Sequence, residues 1–88
     1  MTKADLKSLW YIKRKLQHGE VDDEDKERLE RKVERIEEWI AEIDDPIVKD
    51  IVTYRFVRGY RWAKVAIKVG GGNTEDGVRK IVERYLKR

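Results

Sequence analysis

The sequence holds no cysteine, a single proline, a single histidine and a single phenylalanine in 88 residues. Without cysteine there is no disulfide framework and no thiolate metal site, which fits a reducing compartment. One proline and clear apolar periodicity argue against disorder, although 44% of the residues are charged. No apolar run approaches the ~20 residues of a membrane span, and the N-terminus lacks the apolar core of a secretory signal. The expectation is a soluble, cytoplasmic chain: one small domain, or two very small units sharing a core. Catalytic groups are as scarce. His18 stands beside Gly19, where an imidazolium partners a helix C-terminus. Ser8 has no evident His–acid partner. Glu30, Glu34, Glu37 and Glu38 lack the histidine motif that a carboxylate metal site uses. No catalytic residue, metal or cofactor is therefore expected, and the chain reads as a binding protein and not an enzyme.

What is present is charge, unevenly spread. Residues 1–45 carry 10 Lys/Arg against 14 Asp/Glu, and residues 46–88 carry 11 against 4. The net charge of +3 thus hides an acidic first half and a basic second half. A basic half is the electrostatic footprint of a polyanion partner, and also of an ordinary solvated surface.

Apolar spacing predicts an all-α fold of five helices. Thr2 caps the first, with Asp5 three residues on, and Leu6, Leu9, Trp10, Ile12 and Leu16 form its stripe. Gly19 supplies the stop. Asp22 caps the second helix, about residues 23–43, whose first turn is acidic. Leu29, Val33, Ile36, Ile40 and Ile43 make a narrow seam on it, while Glu24–Arg28 and Glu27–Arg31 are spaced as i,i+4 ion pairs. The short link at 19–22 folds these helices back as an antiparallel hairpin. Asp45 then caps and Pro46 opens a third helix, which runs to about Arg58 and stops at Gly59. A fourth, about residues 61–69, carries Trp62, Val65, Ala66 and Val69. A fifth follows Thr74, with Val78, Ile81, Val82, Tyr85 and Leu86 on one face. Residues 1–45 thus read as an acidic hairpin for packing, oligomerisation or partner binding, and residues 46–88 as a basic three-helix unit.

The sequence "VGGGNTEDGVRK", residues 69–80, admits two readings. A phosphate-binding loop needs a preceding strand and a Gly-Lys-Ser/Thr ending. Here a helix precedes, Asn73 and Thr74 follow, and Glu75 and Asp76 would repel phosphate. A helix-turn-helix needs two short helices joined by a tight, often Gly-containing turn. Ala66 permits close approach, Gly70 leaves the helix at positive φ, Thr74 caps the next helix and Val78 anchors it. Glu75, Asp76, Arg79, Lys80, Glu83, Arg84 and Lys87 are left on the outward arc. Gly77 in the first turn implies a close approach, to the preceding helix or to DNA.

The segment "IVTYRFVRGYRWAKVAIKVG", residues 51–70, resembles the helix-turn-helix of sigma-factor region four. It is especially similar to small phage-encoded sigma-like regulators of the ArpU type. Arg55, Phe56, Val57, Gly59, Trp62, Val65 and Ala66 occupy the family's pattern in order, and Thr74 and Val78 match its cap and inward anchor. The resemblance covers about residues 47–88 and implies double-stranded DNA binding, with the fifth helix in the major groove. Two departures stand out: a turn longer by about two residues, and the acidic leading edge Glu75–Asp76. Those carboxylates favour the helix dipole and also suit acceptance from cytosine N4.

Under the DNA reading, Arg79 and Lys80 meet base edges. Arg84, Lys87 and Arg88 meet phosphates, and Arg58, Arg61, Lys64 and Lys68 hold the backbone. Trp62 and Tyr85 belong to buried stripes. The hairpin then packs on the basic unit, forms a homodimer or higher oligomer, or contacts RNA polymerase. Two alternatives stay open: a small-terminase-like DNA recognition subunit, and a helical protein-interaction module that works through the 29–43 seam without DNA.

Overall fold

Among the described residues, side-chain oxygens start four of the five α-helices. Thr2 accepts from the Asp5 amide and Asp5 returns the bond to the Thr2 amide, opening α1 (Lys3–His18). Asp22 accepts from the Asp25 amide at α2 (Asp23–Ala41). Asp45 takes the amides of Ile47 and Val48 at α3 (Pro46–Val52), with Pro46 in the first turn, where its missing N–H leaves no bond unmade. Thr74 accepts from the Gly77 amide at α5 (Glu75–Leu86). α4 (Trp62–Val69) begins, at Arg61, without a side-chain cap. The computed structural model describes residues 1–19 and 21–87; Glu20, in the first link, and Arg88, one of the expected phosphate ligands, lie outside them.

The all-α expectation holds: no strand occurs among the described residues, and a helical hairpin precedes a three-helix unit. α1 packs on α2 and on the end of the third helical segment, while α3 packs on α4 and α5. One core runs through both halves. Leu6 and Leu9 of α1, Ile36 and Ile40 of α2, Ile43, and Val48, Ile51 and Val52 of α3 join Val65, Ala66, Val78 and Val82 of the last two helices. Trp39 of α2 meets Tyr85 of α5 edge to face at 5.9 Å, and Lys3 pairs with Glu83 at 3.0 Å.

Several local expectations are corrected. The third helix does not continue as α-helix to Arg58: after Val52 it widens into a π-helical turn, Thr53–Val57, closed by the Arg58 amide on the Thr53 carbonyl. The Tyr60 amide then reaches Tyr54, and Arg55 Nη1 donates to the Tyr60 carbonyl at 2.9 Å. α2 ends at Ala41, so Ile43 is buried from the link beyond it. The seam is closed only over Ile36, Ile40 and Ile43, with Leu29 and Val33 half-buried. Trp10 leaves the α1 stripe and is 43% exposed, lying over Gly59, whose missing Cβ would sit 2.8 Å from Trp10 Nε1. Arg28 pairs with Asp25 at 3.0 Å and not with Glu24.

Candidate nucleic-acid interface

The joint between α4 and α5 is built from small and branched apolar residues. Val65 and Ala66 on α4 and Val78 and Val82 on α5 are all buried. Between them, Gly70, Gly71 and Gly72 all have positive φ, at 72°, 66° and 77°, a region where side chains with a Cβ are strained. The Gly70 amide ends α4 on the Ala66 carbonyl, and the Gly70 carbonyl receives the Asn73 amide and the Asn73 side chain. The glycines therefore make a lengthened turn that reverses the chain into the Thr74 cap. Gly77 lies beside that cap. A Cβ there would stand 3.2 Å from Thr74 Oγ1, so the close approach is to the capping hydroxyl and not to the preceding helix.

Packing this face inward leaves an outward surface of mixed sign. Glu75, Asp76, Lys80, Arg84 and Lys87 of the last helical segment are exposed, as are Arg58, Arg61, Lys64 and Lys68 around α4. Thr74 is exposed and engaged as the cap. Ile67, 80% exposed, stands between Lys64 and Lys68; it lies off the apolar period of α4, and no spacing argument singles it out. Glu83 is not a free outward carboxylate. Lys3 from α1 holds it, and that hydrogen bond, helped by the same ammonium's charge, lowers the Glu83 pKa.

Arg79 departs most from the outward arc. It is half-buried, with its guanidinium 5.9 Å from the Trp62 ring centre and 3.9 and 4.0 Å from the carboxylates of Glu75 and Asp76. Its Nε is buried and has no hydrogen-bond partner among the described residues. Arg55 approaches the same ring at 5.1 Å, and Phe56 packs on it edge to face. Trp62 thus serves as a platform for two guanidinium groups while its edge joins the core, as its spacing implied. Lys64 lies 4.1 Å from the Tyr60 ring centre. A hydrogen bond from Arg58 to the Tyr60 hydroxyl, with the fields of Lys64, Arg58 and Lys68, draws that phenol's pKa down. Spacing alone did not single out Tyr60 on this surface; its signal is the repeated aromatic–cation pattern Tyr60-Arg61-Trp62 beside Gly59.

The outward surface is charged and aromatic. It offers a row of exposed cations for anionic oxygens, carboxylates able to accept from amino groups, and one arginine held in reserve by its own helix. No helix among the described residues is long and apolar enough to cross a membrane. No known protein-family model, curated protein or solved structure matches this chain.

Proposed function

We propose that the protein binds double-stranded DNA sequence-specifically, as a transcriptional regulator of the phage or mobile-element kind, acting in the cytoplasm of a bacterial or phage-infected host cell. α5 lies in the major groove. The observation that carries this reading is the α4–α5 joint: burying Val65, Ala66, Val78 and Val82 turns Lys80, Arg84 and Lys87 outward on the same unit as Arg61, Lys64 and Lys68. Lys80 and Arg79 take base edges, Arg84 and Lys87 take phosphates, and the α4 cations grip the flanking backbone. Glu75 and Asp76 hold Arg79 until a base pair offers a better partner, and they disfavour binding at sites that do not release it. The protein acts by binding and has no catalytic step, metal or cofactor; RNA polymerase is the partner that a regulator of this kind engages.

Fluorescence-anisotropy titration of random-sequence and selected duplexes across salt tests the reading. The expected result is affinity that falls with salt, with a log–log slope of about 0.9 per phosphate neutralised. Replacing Lys80 and Arg84 together by Ala should weaken binding about tenfold or more with an unchanged circular-dichroism spectrum. No binding to any duplex at low salt would overturn the proposal.

A further inference from the structure

Charge along the hairpin divides by helix. α1 carries Lys3, Lys7, Lys13, Arg14 and Lys15 against Asp5 alone. The acidity of the first half belongs to α2 and its flanks. On α1, Lys7, Trp10, Tyr11, Arg14, Lys15 and His18 fall on one arc, all exposed and none acidic. Tyr11 is 60% exposed. Arg14 covers the Trp10 ring at 5.4 Å and Lys15 the Tyr11 ring at 5.5 Å. Tyr11 is thereby held in an outward, cation-flanked pose that the core does not need, while Trp10 rests against Gly59 and keeps part of its ring exposed.

α2 presents the complement. Leu16, Val33 and Ala41 floor an open groove of about 430 Å³ rimmed by Glu30, Glu34, Glu37 and Glu38. Lys13 pairs with Glu37 at 2.9 Å, and Glu30, Glu34 and Glu38 have no ion-pair partner among the described residues. The aromatic face and the groove share no lining residue. Both are open in the same chain, so each is free to engage a different copy.

We propose that the protein self-associates head to tail, with the Trp10–Tyr11–Arg14–Lys15 face of one copy seated on the acid-rimmed groove of α2 in the next. Tyr11 and the exposed part of Trp10 supply apolar contact to Leu16, Val33 and Ala41, and Arg14 and Lys15 meet the carboxylate rim of Glu30, Glu34 and Glu38. Such a contact is heterologous: each copy keeps one unused face, so assembly continues until the ends meet or the chain stops growing. This inference does not rest on DNA binding.

Sedimentation velocity on the full chain without DNA, over a range of concentration and salt, tests it. The expected result is a mass that rises with concentration at low salt above the 10.5 kDa of one chain and falls back at high salt. Arg14→Glu with Lys15→Glu, and separately Glu30→Lys with Glu34→Lys, should each be monomeric and fully helical. Mixed, the two charge-reversed chains should associate again. The acidic face of the first matches the basic groove of the second, and the unaltered face of the second matches the unaltered groove of the first. Tyr11→Ala, which leaves every charge in place, should weaken association about tenfold or more. A wild-type chain monomeric throughout, undiminished assembly in either double variant, or a mixture that stays monomeric overturns the proposal. So does a loss of DNA affinity in Arg14→Glu with Lys15→Glu at unchanged mass, which would make the α1 face a nucleic-acid surface instead.

Discussion

In the proposed DNA-binding mode, Arg79 concentrates the conflict between folding and recognition in one side chain. Its guanidinium is shared among the Trp62 ring, Glu75 and Asp76, while Nε is buried without an acceptor among the described residues. An unmade bond at a charged donor is costly, so release of Arg79 toward an external acceptor recovers part of that cost. Glu75→Gln with Asp76→Asn should therefore raise affinity for nonspecific duplex DNA and reduce discrimination between sequences. Competition anisotropy reads both, and unchanged discrimination would remove the two carboxylates from the recognition scheme. At the other end of the same turn, Thr74→Ala removes the acceptor for the Gly77 amide. It should cost about 1 kcal/mol in urea unfolding.

Among the elements, the turn at 70–72 and the π-helical turn at 53–57 set the aim of α4 and α5. The three glycines are conformationally required and not sterically crowded: a Cβ on Gly70 or Gly72 would meet nothing within 4 Å. Gly72→Ala should thus destabilise by about 1 kcal/mol through backbone strain alone, read as a lower urea midpoint at constant slope. Gly59→Ala adds a collision with Trp10 to the same strain and should cost more. These elements were unequally legible in the sequence. Thr2, Asp22, Asp45 and Thr74 announce helix starts because a cap is a local event, decided within four residues. The π-helical turn left no such mark. Its extra residue is stabilised by contacts at longer range: Arg55 on the Tyr60 carbonyl, and Tyr54 stacked on Tyr60 at 6.0 Å. Trp10 likewise falls within the broad apolar stripe of α1 and is exposed, because Gly59, 49 positions further along the chain, offers its ring a flat backbone to lie on. The outward α5 arc was readable from spacing, whereas the inward fold of Arg79 depends on where another helix places Trp62.

At the scale of the molecule, hairpin and basic unit are joined by more than surface contact. Leu6 and Leu9 are fully buried in the same core as Val78 and Val82, and the Lys3–Glu83 bridge spans the two ends of the chain. Both groups of that bridge are over a third exposed, so it is a weak tie, and its pH dependence has a definite sign. The folded state lowers the Glu83 pKa from its ordinary 4.5, so the contribution is present above that value and is lost as pH falls through the folded one. Glu83→Gln should melt below wild type at neutral pH and converge with it in acid. The shared core carries far more. Leu9→Ala, in the hairpin half, should cost about 2–5 kcal/mol. If the core is one cooperative unit, the amides of α5 lose hydrogen-exchange protection by the same free energy as those of α2. Protection lost in α1 and α2 while α5 keeps its own would instead mean that the basic unit folds without the hairpin. The hairpin would then be an attachment to the reading head and not part of its frame.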